Sequence, residues 1–197
     1  MKNKGKRKSE IKRKTSETDI ELKLDIDGGG RTEIETGIPF FDHVLSSFGR
    51  HSGFDLYVSA KGDIELGSHH LVEDTGICLG KALFECVKDK RGIKRFSHTI
   101  ICMDEAEVTL STDIGGRAYL RFDVDMDDEV IKGYNTMVTE DFLRALVTNS
   151  FINLHIKKNV GLNSHHIIEA IFKGLGITLA QATRVTGKGV PSTKGSI

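Results

Sequence analysis

The sequence predicts an α+β fold built from two copies of one β-β-α-β-α unit, each copy an antiparallel-rich sheet with helices on one face. Three observations predict it. Stretches such as Ile20, Leu22, Leu24 and Ile26 alternate apolar with polar residues, as half-buried strands do. The segments Ser68-His-His-Leu-Val-Glu-Asp74 and Ser164-His-His-Ile-Ile-Glu-Ala170 share one internal spacing, and both read as the first turn of a long helix with Ser at the N-cap. The interval from His43 to Leu56 equals that from Asp141 to Leu154, and the interval from His69 to Gly80 equals that from His165 to Gly176.

Taken in order, residues 1–14 hold eight Lys or Arg against the single Glu10 and few apolar groups, so they are expected to be a disordered basic tail. The first repeat covers 15–92. Residues 20–26 and 32–36 alternate on either side of Gly28-Gly29-Gly30 and read as a hairpin. Pro39 opens a short helix carrying Phe40, Phe41, Val44, Leu45 and Phe48, with Asp42 and His43 in its first turn. A strand over 54–58 and a helix over 68–88 complete the unit. The second repeat covers 93–186: a strand over 100–112, a partner over 119–124 after Gly115-Gly116, a polar loop over 126–137, a helix over 138–149, a strand over 152–156 and a helix from Ser164. Residues 187–197, with Gly187, Gly189 and Gly195, read as a flexible tail. The halves can meet helix layer to helix layer or sheet to sheet, and periodicity leaves both open.

A chain of 197 residues with 38% apolar content can bury one good core or two small ones. No stretch is apolar enough to span a bilayer and no signal-peptide core follows the basic start, so a soluble, cytoplasmic protein is expected. Cys78, Cys86 and Cys102 have no metal-binding spacing and read as buried reduced thiols. The formal charge of zero gives no reason to expect nucleic acid, and no aromatic residues interleave with the basic tail, so neither nucleic acid nor membrane is expected as a partner.

The paired histidines carry the chemistry. Neighbouring helix residues point about 100° apart, so His69 and His70 cannot easily share one ion, and each pair suggests two metals. Imidazole with a hard carboxylate suits Mn, Fe, Ni or Zn. The Glu of each segment, Glu73 or Glu169, can share a helix face with either His. In the register of the repeat His43 falls opposite Asp141, which extends the candidate metal ligands to His43, His69, His70, Glu73, Asp141, His165, His166 and Glu169. A hydrogen-bonded surface Asp is an equally good reading of Asp141 alone.

The runs from Thr36 to His43, Ser68 to Asp74, Asp104-Glu-Ala106, Gly116-Arg-Ala-Tyr119, Leu154-His-Ile156, Asn163 to Lys173 and Pro191-Ser-Thr-Lys-Gly195 resemble imidazoleglycerol-phosphate dehydratase of histidine biosynthesis. The resemblance implies a lyase that uses two Mn²⁺ per active site to convert D-erythro-1-(imidazol-4-yl)glycerol 3-phosphate to 3-(imidazol-4-yl)-2-oxopropyl phosphate and water. It also implies a large homo-oligomer of cubic symmetry, a 24-mer, with metal sites where subunits meet. By the same resemblance Glu17 reaches the substrate as a proton carrier, and His70, Glu73, His166 and Glu169 join it as catalytic residues. Arg95, Arg117, Lys173, Ser192 and Lys194 hold the phosphate, a task suited to guanidinium, ammonium and hydroxyl donors. The chain departs from the family at Asp141, where His is common, and at Gly67, where an Asp two residues before the first His-His pair is common. Asp104 and Glu105 match an acidic pair to which the residues themselves assign no role. Two rivals use the same ligands: a dinuclear phosphoesterase, which would release inorganic phosphate, and a metal-stabilised structural oligomer, which would turn nothing over.

Overall fold

The computed structural model describes residues 7–62, 64 and 67–195. The first half runs β1 (Lys8–Lys14), β2 (Thr18–Asp25), β3 (Thr32–Glu35), α1 (Pro39–Ser52), β4 (Asp55–Gly62) and α2 (His69–Cys86). The second repeats it as β5 (Phe96–Met103), β6 (Ala106–Asp113), β7 (Tyr119–Asp123), α3 (Val138–Ser150), β10 (Asn153–Val160) and α4 (Ser164–Thr183). A small hairpin, β8 (Val130–Ile131) and β9 (Tyr134–Asn135), occupies part of the expected polar loop before α3. The sheets have equivalent orders, β1-β2-β4-β3 and β5-β6-β10-β7. In each, the last strand lies antiparallel to the second and parallel to the third.

The duplicated α+β architecture is therefore present, with one strand more per half than periodicity suggests. In the first half that strand is β1, which replaces the expected disorder of 1–14 over residues 8–14; residues 1–6 lie outside the described residues. The basic run finds its complement across the ladder. Lys8, Lys12 and Lys14 stand opposite Asp25, Glu21 and Asp19, with ion pairs of 2.6, 3.4 and 2.7 Å. Each exposed pair is worth little, but together they convert a self-repelling segment into a matched edge strand. In the second half the expected single strand 100–112 is a hairpin, turning at Asp104 with φ of 48°.

The two expected hairpins do not form. β3 pairs in parallel with β4 instead of with β2, and β7 pairs in parallel with β10 instead of with β6. The physical reason is that β1 and β5 already occupy one edge of their neighbours, and β4 and β10 the other, so the short strands can only join the far side. Ser68 is the N-cap of α2 but makes no capping bond; its hydroxyl accepts from the Asn135 N–H at 3.2 Å. Asn163, not Ser164, caps α4. Cys78 and Cys86 are buried, which pushes their thiols up to about 11 and about 12, whereas Cys102 is exposed, contrary to expectation.

The helix layers meet each other. α2 packs on α3 and α1 on α4, so each helix pair joins the two halves, and the buried side chains form one continuous core. Glycines permit the close approach. A Cβ on Gly80 would lie 2.5 Å from the Leu146 carbonyl oxygen, and one on Gly176 would lie 2.6 Å from that of Phe48. These are equivalent positions in the repeat, past the middle of α4 and α2, and they let α1 and α3 lie close along the two His-bearing helices.

Candidate metal and substrate site

The first ligand set is built where α1 meets α4. Thr36 donates to Asp42 Oδ1 from both its N–H (2.9 Å) and its hydroxyl (2.6 Å), fixing the entry to α1 ahead of Pro39. The Phe40 ring lies 4.8 Å from the His165 ring and 5.4 Å from the buried Tyr134 ring, which sets the first turn of α1 against that of α4. At the start of α4 the Asn163 Oδ1 accepts the N–H groups of His165 (2.9 Å) and His166 (3.4 Å). His43 and His165 then direct Nε2 to the same oxygen, Glu169 Oε2, at 3.1 and 3.3 Å. All three ligand atoms lie within 4.8 Å of one another. Lys173, one turn further on, reaches the other oxygen, Glu169 Oε1, at 2.8 Å.

Glu169 keeps only 9% of its side chain exposed. Burial is the largest single influence on it and opposes ionisation, but Lys173 and His43 together outweigh burial and hold the carboxyl at about 2. A buried, ionised carboxylate beside two imidazoles is a group that could hold a metal ion.

The repeat produces a second, looser set where α3 meets α2. His69 lies between Asp141, 3.2 Å from its Nδ1, and Glu73, 3.4 Å from its Nε2. Asp141 thus stands in the place of His43, as the register of the repeat predicts. The carboxylates flank opposite ring nitrogens, so these three do not converge on one point as the first set does, and Glu73 is 45% exposed.

The second His of each pair turns elsewhere, as 100° per residue requires. His166 Nδ1 donates to Glu105 Oε2 at 2.6 Å, and its Nε2 is 3.6 Å from Asp104 Oδ2. His70 Nδ1 faces Glu17 Oε2 at 3.8 Å. Sequence reading gave Asp104 and Glu105 no role. The signal that could have found them was the repeat itself, since Glu17 and Glu105 occupy the turns β1–β2 and β5–β6, but it was hidden while β1 was read as a tail.

With this geometry in place, comparison with known proteins is informative. The family model described as Imidazoleglycerol-phosphate dehydratase matches residues 36–179. The chain belongs to the imidazoleglycerol-phosphate dehydratase family. It is 52% identical over 191 residues to the imidazoleglycerol-phosphate dehydratase of Thermoanaerobacter pseudethanolicus, covering 96% of this chain and 98% of that one. It is 48% identical over 192 residues to that of Desulforudis audaxviator, with 97% and 98% covered. Among solved structures, imidazoleglycerol-phosphate dehydratase from Staphylococcus aureus superposes with a TM-score of 0.83 at 35% identity, covering 91% of this chain and 99% of that one.

The dehydratase-family residues expected to hold phosphate are not gathered around the histidines of the same chain. Lys173 alone joins them. Arg95 lies at the other end of α4, its N–H donating to Ala182 O at 2.9 Å. His166 and Ala182 are about 24 Å apart along the helix at 1.5 Å per residue. Arg95 grips Asp113 with two bonds, of 2.7 and 3.1 Å, and donates to Pro191 O at 2.8 Å, so it fixes the segment bearing Ser192 and Lys194. The chain from Val185 onward lies along 92–95, with a bridge between Ile93 and Val185 and bonds between Gly92 and Thr186, Gly187 and Gly189. The 187–195 segment is thus docked at its start, where sequence reading expected a free tail. Arg117 is exposed on the link before β7. Lys90, passed over in the sequence, is buried near Arg95 and Asp113. Burial, then Arg95, holds its ammonium below the ordinary value, with Asp113 opposing.

Proposed function

We propose that the chain is a metal-dependent dehydratase that converts D-erythro-1-(imidazol-4-yl)glycerol 3-phosphate to 3-(imidazol-4-yl)-2-oxopropyl phosphate and water, a step of histidine biosynthesis, in the cytoplasm. The observation that carries the reading is the convergence of His43, His165 and Glu169 on one point in a chain of this family. That set fits a divalent ion such as Mn²⁺: two Nε2 atoms and one ionised oxygen lie within 4.8 Å of one another, so small side-chain adjustments would allow ordinary metal–ligand bonds of about 2.0–2.2 Å. His69, Glu73 and Asp141 would hold a second ion after a turn of the His69 ring. His70 and His166, which face Glu17 and Glu105 instead of these sets, would supply further imidazole ligands. A bound ion would act as a Lewis acid on the substrate imidazole and offset charge developing there.

The residues of the chain account for the remaining tasks. The proton to be removed sits on a carbon not adjacent to a carbonyl, so its base must be held close to it. Glu17 is suited to this: it lies beside His70, is 52% exposed, and can swing toward a substrate on that imidazole. Glu17 takes the C–H proton, the hydroxyl on the carbon joined to the ring leaves with that proton as water, and the enol so formed gives up its O–H proton as the carbon joined to the ring gains one, which yields the ketone. Arg95, Arg117, Lys173, Ser192 and Lys194 grip the phosphate dianion and keep the reacting carbons in register with Glu17.

A three-carbon phosphate cannot bridge the length of α4, so we assign Arg95, Ser192 and Lys194 of one copy to the histidines and Lys173 of another. Self-association into a large homo-oligomer, the 24-mer of the family resemblance, satisfies that requirement. The groove of about 1390 Å³ lined by His43, Ser46, Ser47, Arg50, Glu169 and Lys173, among others, is larger than a small-molecule site needs and suits a neighbouring chain. No helix among the described residues is long and apolar enough to cross a membrane.

The test is incubation of purified protein with Mn²⁺ and imidazoleglycerol phosphate, followed by assay of both the ketone and free phosphate. Ketone without phosphate is the expected result. Phosphate release would favour a phosphoesterase, and neither product would favour a structural metal role.

A further inference from the structure

We propose that Glu105 is a positioning residue that fixes the ring and tautomer of His166 for metal binding, a task its duplicated counterpart Glu17 does not share. The inference rests on reading His166 as a metal ligand. The two carboxylates occupy the same place in the repeat, on the turn between the first two strands, and each faces the second His of its pair. Their surroundings differ. Glu105 Oε1 accepts the N–H groups of Leu162 (3.3 Å) and Asn163 (2.9 Å), while its Oε2 accepts from His166 Nδ1 at 2.6 Å. Asn163 in turn caps α4 through the N–H groups of His165 and His166. One carboxylate therefore ties the β5–β6 turn, the β10–α4 turn and the imidazole together.

The consequence for His166 is chemical. An ionised carboxylate only accepts, so the Nδ1 facing it carries the proton and Nε2 presents its lone pair outward. A charged acceptor behind the ring also makes Nε2 a stronger ligand and holds the ring at one angle. Asp104, 3.6 Å from Nε2, is too distant to take that lone pair's place. Among the described residues, no N–H group donates to the Glu17 carboxylate. It is 3.8 Å from His70 Nδ1, beyond hydrogen-bond reach, and half exposed. A group that orients a ligand must be held, and a group that carries a proton to substrate must be able to move. The duplication supplies one of each.

The experiment titrates Mn²⁺ into the metal-stripped full chain, following free Mn²⁺ by its paramagnetic resonance signal, with sedimentation and thermal unfolding as checks on assembly and fold. Glu105→Gln keeps the shape and an oxygen for the backbone donors but removes the charge behind His166. It is expected to fold and assemble while one of the two bound ions is held 10–100-fold more weakly, the other unchanged. Glu105→Ala should lose at least as much, and if it fails to fold, the Gln variant carries the test. Glu17→Gln should bind both ions as the wild type does while losing turnover. Wild-type affinity at both sites in Glu105→Gln would overturn the inference, as would an equal loss of affinity in Glu17→Gln. A wild-type chain that takes up no Mn²⁺ would remove the metal reading itself, and this inference with it.

Discussion

Replacing Gly176 by Ala tests whether the crossing of α1 and α4 assembles the first ligand set. The new Cβ would lie 2.6 Å from Phe48 O, 3.0 Å from Ser52 N and 3.4 Å from Phe48 C. These are backbone atoms of α1, so no side chain can swing aside. An ordinary contact of roughly 3.5 Å requires the helices to part by about 0.9 Å. Overpacking of this kind costs about 1–3 kcal/mol, and the contact is severe enough for the upper part of that range. Ala in place of Gly in a helix interior returns about 1 kcal/mol. The expected net loss is about 1–2 kcal/mol, a fall in Tm of about 2–8 °C. The larger effect falls on the ligands, because α1 carries His43 while α4 carries His165 and Glu169, and metal–ligand distances tolerate only about 0.2 Å. Mn²⁺ titration should therefore show one ion weakened and one intact. Gly80→Ala, 2.5 Å from Leu146 O across the α2–α3 crossing, should lower stability similarly and weaken the other ion. Gly29→Ala, whose Cβ would meet only Asp55 Oδ1 at 4.0 Å, serves as the control. Wild-type affinity for both ions together with an unchanged Tm in Gly176→Ala would refute the argument.

Three other outcomes are expected. Glu169 and Glu105 are each held at about 2 against an ordinary value of 4.5, so their folded values are depressed: the stability they add is complete above pH 4.5 and is lost as pH falls from there toward 2. Unfolding of metal-free protein should steepen within that window and flatten in Glu169→Gln, whereas bound metal should leave earlier, as free imidazole protonates near pH ~6; identical acid profiles for wild type and variant would count against the Glu169 assignment. Deleting residues 190–197 should leave metal content and assembly unchanged but raise KM and lower kcat, because Arg95 loses its bond to Pro191 and the phosphate loses Ser192 and Lys194; an unaltered kcat/KM would remove those residues from the site. Lys194→Ala should act in the same direction by about 1–3 kcal/mol of transition-state binding, read from kcat/KM.

Much of the site was legible because the chain states it twice. Two His-His-x-x-Glu helix starts at one spacing, with His43 and Asp141 in register ahead of them, pointed to both candidate clusters, and helical geometry alone required the paired histidines to diverge. The strands were legible wherever one face is buried, as in Leu22 and Leu24 or Leu154 and Ile156, since alternation is a local property. β1 was not, because its order comes from a partner strand rather than from its own pattern: a row of lysines is a tail when alone and an edge strand when Asp19, Glu21 and Asp25 stand opposite. Pairing of β3 and β7 was likewise undetermined, since alternation says that a strand exists but not which neighbour has a free edge. Only the tertiary structure decided that the helix layers face each other, through backbone contacts that Gly80 and Gly176 allow. Only it separated Glu105 from Glu17, for the difference lies in which N–H groups reach each carboxylate. And only it placed Arg95 and the histidines at opposite ends of α4, a separation set by helix rise, which a pattern of residue types along the chain does not reveal.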